Sequence, residues 1–196
     1  MTIDLHLHST ASDGTLTPEE IVRLAFQLNL KAVALADHDS IDGVSLAIQE
    51  GKCLGTEVVP AVELSSDLHG RDIHLLGYYI DYNEPWFKTH LKELKESRLK
   101  RAVKMVEKLK EAGLIIAFKD VLDAAKNGAV GRAHIARVMI KQGYIDSIEE
   151  AFEKYIGRKA PYYVEKYSYS PEEVIEFIRK AKGIAVLAHP GLSNVD

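Results

Sequence analysis

Ile3, Leu5 and Leu7 alternate with Asp4, His6 and His8, the two-residue period of a strand with one face in a core. Thr17-Pro18-Glu19-Glu20 then supplies a helix cap, a proline at the first helical position and a reciprocal glutamate. Ile21, Val22, Leu24, Ala25 and Leu28 follow at the spacing of a buried helical face. Ala32 to Ala36 is a short continuous apolar run, predicting a strand buried on both faces of a parallel sheet. A short helix near 42–50 and strands near 57–63 and 72–80 come next.

The tail repeats this design. Ser170-Pro171-Glu172-Glu173 is a second capping box, Val174, Ile175, Ile178 and Ala181 form its apolar face, and Ile184 to Ala188 predicts another buried strand. Each unit ends in a histidine, His38 in one and His189 in the other. Strands alternating with helices imply a parallel sheet, in which chemistry collects at the carboxyl ends of the strands. Trp86 to Gly157 breaks the rhythm, reading as helices throughout with Gly113 as a stop. The predicted organisation is an α/β domain of residues 1–85 and 158–196, carrying a helical insertion of residues 86–157 on its substrate side.

Composition narrows the class. A chain of 196 residues, 46% hydrophobic, can bury one sizeable core and a small added lobe. A formal charge of −4 and a pI near 6.1 give no polycation signal for DNA or membrane. Cys53 is the one cysteine, so no internal disulfide forms, and the N-terminus has no basic flank before an apolar run. No apolar stretch reaches the length of a membrane span. The expectation is a cytoplasmic protein with no stable DNA partner.

His6 and His8 lie two apart on a strand, so both imidazoles share a face with Asp4. Alone, His-x-His reads equally well as an exposed polar face or as a metal site, with Asp4 orienting one imidazole. The later strands shift the balance. Asp13 lies in the polar loop directly after the first strand, Asp37-His38-Asp39 ends the second, Glu63 ends the third, His74 lies in the fourth and His189 ends the last. Successive strands thus deliver imidazoles and carboxylates to one end. Without thiolates this set suits Mn, Fe or Zn, and a bridging carboxylate suits a multinuclear site. His69 and His90 read as solvated. Tyr162, Tyr163, Tyr167 and Tyr169 read either as a base-stacking surface or, more commonly, as packing.

The runs Asp4-Leu5-His6-Leu7-His8-Ser9, Ala36-Asp37-His38-Asp39, Val62-Glu63-Leu64-Ser65, Ile73-His74-Leu75-Leu76-Gly77 and Ala188-His189-Pro190 together resemble the ordered motifs of the PHP (polymerase and histidinol phosphatase) superfamily. They resemble in particular its stand-alone nucleotide phosphoesterases, including nucleoside 3′,5′-bisphosphate phosphatases and 5′-to-3′ exoribonucleases. The resemblance implies a distorted (β/α)7 barrel holding two to three divalent ions, Mn²⁺ first and Fe²⁺ or Zn²⁺ after it. It places His6 and His8 on one ion, Glu63 as a bridge, His74 and His189 on a second, and Asp13 with His38 on a third. The nucleophile it implies is a metal-bridging hydroxide, with Asp39 or His134 as candidate acids.

In the insertion, Arg132 and His134 open a helix where the resemblance puts substrate contacts, and Arg132 is expected to grip a phosphate that is not cleaved. The substrate implied is a small phosphorylated molecule, a nucleotide or a short RNA 5′ end. The rivals are a histidinol-phosphate-type phosphatase on the same metals and a non-catalytic PHP module. The family's final Asp-x-His motif has no counterpart before Asp196, which leaves the first and third ions short of a ligand and predicts a truncated barrel.

Overall fold

In the computed structural model, described over residues 2–126, 128–165 and 168–193, the opening alternation forms strand β1 (Ile3–Leu7). Helix α1 (Pro18–Gln27) follows because Thr17 caps it. The Thr17 hydroxyl accepts the Glu20 N–H at 3.2 Å, and the Glu20 carboxylate accepts the Thr17 N–H at 2.7 Å. Ile21, Val22 and Ala25 bury its inner face. Strand β2 (Ala32–Leu35) pairs parallel to β1. Helix α2 (Val44–Leu54) ends at Gly55, whose φ of +77° reverses the chain into β3 (Glu57–Leu68), parallel to β2.

Here the sheet departs from the expected all-parallel pattern. His69 and Gly70 both take positive φ, 48° and 83°, making the two-residue turn that suits a hairpin. Strand β4 (Arg71–Tyr78) therefore returns antiparallel, paired with β3 from Leu68↔Arg71 to Ala61↔Tyr78. So tight a turn lets β3 run well past Glu63, which lies mid-strand and not at a strand end. Ser65, Ser66 and Asp67, polar enough to pass for loop, are strand residues.

After helix α7 (Pro171–Lys180), capped by Ser170 as Thr17 caps α1, strand β5 (Ile184–Leu187) joins β4 antiparallel. The sheet order is β1-β2-β3-β4-β5, and among the described residues it is open, with β1 and β5 as edges. A closed barrel is not what these strands form. β5 is also not the buried strand its composition predicts: with a neighbour on one side only, it leaves Ile184 59% and Val186 41% exposed. A short helix, α8 (Pro190–Ser193), comes last; Tyr167 and Asp196 lie outside the described residues.

Two compact units result: Met1–Leu94 with Ser168–Asp196, and Lys95–Tyr167. In the first, Val62, Leu64, Leu75, Phe87 and Ile178 centre one core, while Ile21, Val22, Leu35 and Ala47 centre another under α1 and α2. Helix α3 (Pro85–Glu111) contributes Phe87 and Leu91 to the first unit and Met105 and Leu109 to the second. The second unit adds α4 (Phe118–Ala125), α5 (Arg132–Lys141), α6 (Ile148–Ala151) and a π-helical turn, Phe152–Ile156. These pack around Leu109, Val121, Ile135, Met139 and Ile156. No helix among the described residues is long and apolar enough to cross a membrane.

Candidate metal centre

Glu63 is 1% exposed, and five imidazoles converge on it. His74 Nδ1 and His189 Nε2 each stand 2.9 Å from Oε1. His6 Nε2 and His8 Nε2 stand 3.1 Å from Oε2, and His38 Nδ1 stands 3.2 Å from it. The topology explains the convergence. The two parallel crossovers bring the carboxyl ends of β1 and β2 beside β3, and His38 bridges to Glu63 in parallel register. The hairpin puts His74 opposite Ser65, and the Ala188 N–H donates to the His74 carbonyl, seating His189 at the end of β5.

Burial alone would raise the Glu63 carboxyl, but hydrogen bonds from His6, His74 and His8 and the charge of His38 outweigh it and hold it far below the usual range. His8 is the converse. Its burial favours the neutral ring, yet the hydrogen bond to Glu63 and the charges of Asp13, Glu63 and Asp37 together raise its pKa.

This arrangement fits divalent cations. Five ring nitrogens press on two oxygens, and His6 Nε2 lies only 3.1 Å from His8 Nε2, more nitrogen than hydrogen bonding to one carboxylate can use. His8 Nδ1 is buried with no hydrogen-bond partner, Asp13 Oδ1 standing 3.6 Å away, and Asp13 Oδ2 lies 3.9 Å from His38 Nε2. Such gaps are too long for hydrogen bonds, whereas two atoms each about 2.1 Å from a shared ion stand about 3–4 Å apart. Three overlapping groups can each hold an ion: His6, His8 and Glu63; His8, Asp13 and His38; His38, Glu63 and His74. His8 and His38 each belong to two of them, a sharing that spacing along the chain does not reveal.

Other residues hold these in place. Asp37 is buried and accepts the Ser9 N–H and hydroxyl, both at 2.7 Å, and the Ser12 hydroxyl; burial raises its pKa against those bonds. Asp39, a candidate acid, is buried at φ +49° with Oδ1 accepting the Ser65 N–H at 3.0 Å. Asp4 Oδ1 accepts the backbone N–H of His6 at 3.2 Å, not its imidazole. His69 is exposed, as its polar loop suggests. His90 is not solvated: it is half-buried among Trp86, Tyr169 and Phe177, donating to the Trp86 carbonyl.

Arg132 and His134 lie in the second unit. Arg132, Arg98, Arg101 and Gly131 line a shallow, open hollow. The Arg132 guanidinium lies 5.0 Å from the Phe152 ring and 5.8 Å from that of Tyr163; Arg101 and Arg158 approach Tyr163 at 4.9 and 5.6 Å. His134 is buried, and its Nδ1 accepts the Gly131 N–H at 3.0 Å, capping α5 from within. Arg98 and Arg101 do not stand out in the sequence, although a spacing of three places them on one helical face. Tyr162 stacks on Tyr155, and Tyr169 packs edge-on against Phe177.

Residues 4–167 match the PHP domain. A 5′-3′ exoribonuclease of Haemophilus influenzae is 39% identical over 187 residues, 95% of this chain and 68% of that protein. A 3′,5′-nucleoside bisphosphate phosphatase of Chromobacterium violaceum is 35% identical over 190 residues, 96% of this chain and 67% of that one. The structure of an amidohydrolase from Chromobacterium violaceum, with bound sulfate and no metal, superposes with a TM-score of 0.94 at 33% identity over 100% of this chain and 69% of its own. The chain thus spans about two thirds of the length of the proteins it matches.

Proposed function

The chain belongs to the PHP domain family, and on that premise we propose that it is a metal-dependent phosphoesterase hydrolysing phosphate monoesters of nucleotides, among them nucleoside 3′,5′-bisphosphates and short RNA 5′ ends. The observation that carries the reading is Glu63: a buried carboxylate with imidazoles divided between its two oxygens at 2.9–3.2 Å suits a bridge between cations. In this reading His6, His8, Asp13, His38, Glu63, His74 and His189 hold two to three divalent ions, Mn²⁺, Fe²⁺ or Zn²⁺. Such ions supply Lewis acidity toward phosphoryl oxygens and acidify bound water. The protein's part is to hold the imidazoles converging on Glu63 and to present Asp13 beside His8 and His38.

The relatives support nucleotides as the substrate class: one is named an exoribonuclease and one a nucleoside bisphosphate phosphatase. Arg132, with Arg98 and Arg101, forms an anion subsite of its own, since planar guanidinium forks match phosphate oxygens. His134 supports that subsite as the α5 cap. The same reading takes the open sheet as part of a distorted (β/α)7 barrel.

The test is a Mn²⁺-supplemented screen of phosphate release from mono- and bisphosphorylated nucleotides, sugar phosphates and short 5′-phosphorylated RNA, with His74→Ala as control. Turnover highest on nucleotides and abolished in the variant is expected. Preference for a sugar phosphate would overturn the substrate class, and no Mn²⁺-dependent turnover on any of them would overturn the enzyme.

A further inference from the structure

We propose that Asp37 is a positioning residue for one cation site: it holds the Asp13 loop against His38 and touches neither cation nor substrate. The inference rests on the phosphoesterase function proposed for the centre, and it concerns a residue to which that function gives no task.

Asp37 is 2% exposed. A carboxylate so deeply buried is costly unless its oxygens are satisfied. Three donors satisfy it, all from the loop after β1. Oδ1 takes the Ser9 N–H and the Ser12 hydroxyl, and Oδ2 takes the Ser9 hydroxyl. Ser9 is in turn the hub of that loop. Its carbonyl accepts the Ser12 N–H at 3.1 Å and the Gly14 N–H at 2.9 Å, and its hydroxyl accepts the Ala11 N–H at 3.0 Å. The residues on either side of Asp13 are therefore bonded to Ser9, and Ser9 is bonded to Asp37, the neighbour of His38.

The other side of His38 is fixed by different partners. The Asp39 N–H donates to the Glu63 carbonyl at 2.9 Å, and the Asp39 carboxylate accepts the Ser65 N–H. In Asp37-His38-Asp39 the middle residue meets the cluster, while each flank ties it to another segment that carries a ligand. The Asp37 carboxylate sets the distance from His38 to Asp13, while the Asp39 N–H and the Asp37 carbonyl, which accepts the Glu63 N–H at 3.1 Å, set the distance from His38 to Glu63. Loss of Asp37 should then loosen one cation position, that of His8, Asp13 and His38, and spare the other two.

The experiment uses Asp37→Asn, Asp37→Ala and Ser12→Ala, with His74→Ala for contrast, in metal-stripped protein. Hydrogen exchange by mass spectrometry reads residues 9–16, and calorimetric titration with Mn²⁺ reads the cation sites. Asp37→Ala should speed exchange of the loop at least tenfold and weaken one Mn²⁺ about 10- to 100-fold, the range for residues that orient ligands. Asp37→Asn, which keeps an acceptor, and Ser12→Ala, which removes one bond of three, should lie between it and wild type, with β3–β4 exchange unchanged in all. His74→Ala should leave the loop as it is and weaken a different Mn²⁺. Unchanged loop exchange in Asp37→Ala overturns the proposal, as does uniform loss of every Mn²⁺ with the loop still protected. Should wild type take up no Mn²⁺, the phosphoesterase reading falls; loop exchange then decides on the Asp37 anchor alone, faster exchange upholding it and unchanged exchange overturning it.

Discussion

Gly14 is the residue at which the smallest change should do the most to the Asp13 site. A Cβ built there would stand 2.1 Å from the His8 carbonyl oxygen and 2.5 Å from its carbon, where real Cβ atoms do not come nearer than 3.0 Å. Gly14→Ala must therefore push the loop from the end of β1 by at least about 0.9 Å, the shortfall between 2.1 and 3.0 Å. The obstacle is backbone, so no side-chain rotation relieves it. Forced overpacking of this kind costs about 1–3 kcal/mol. At about 2–4 °C per kcal/mol for a chain of this size, Tm should fall by about 2–12 °C in EDTA. Asp13 is the adjacent residue, and ligand distances tolerate only about 0.2 Å. A displacement several times larger should weaken Mn²⁺ at the His8–Asp13–His38 position about 10- to 100-fold, leaving the other groups near wild type. Thermal melts with and without Mn²⁺, together with calorimetric titration, measure both effects. Wild-type Tm and wild-type Mn²⁺ affinity in Gly14→Ala would refute the reasoning, because the loop would then have room that the His8 carbonyl denies it.

Arg132→Ala should lower kcat/KM for a nucleoside 3′,5′-bisphosphate by about 1.5–3 kcal/mol, roughly 10- to 150-fold, with a much smaller loss on an aryl phosphate; equal losses on both would assign Arg132 to the fold. Ile178→Ala, at a fully buried position in the core of the first unit, should cost about 2–5 kcal/mol, read as a lower urea midpoint. Mn²⁺ at about 100 times its Kd should stabilise the chain by about 2.7 kcal/mol, and EDTA should abolish the gain; a melt indifferent to Mn²⁺ would argue against a cation site.

That His6, His8, His38, Glu63, His74 and His189 meet was readable from the sequence because residue type and strand period act together. Each follows or sits within an apolar strand, and parallel crossovers bring strand ends to one side. The helices were legible for a local reason: Thr17 and Ser170 announce their own capping boxes. What was hidden depends on pairing. Nothing in Asp67-Leu68-His69-Gly70 distinguishes a polar loop from a tight hairpin until His69 is seen at positive φ, so the sequence alone puts Glu63 at a strand end. β5 has the composition of a buried strand and lies at an edge, since composition does not count neighbours. His90 looks solvated on a charged helix because its covering rings, Tyr169 and Phe177, come from far along the chain. Asp37 stands beside His38 with no role legible in the sequence, as the donors that satisfy it are backbone and hydroxyl groups with no metal-site signature.

The tight turn at His69-Gly70 also orders events in time. Glu63 and His74 are only 11 residues apart and meet across a hairpin, a structure that closes in about 1–10 μs. His189 meets the same carboxylate from 126 residues away. Closing so long a loop is costly in chain entropy, although the cost grows only with the logarithm of length. About half of the intervening residues are helical and form contacts with near neighbours, which assemble fast and shorten the effective loop. The Glu63–His74 half of the centre should thus exist early in folding as an unsaturated pair, and the arrival of β5 should be the slow step that brings His189 to it. A nascent chain would then hold a half-formed cation trap before β5 has docked.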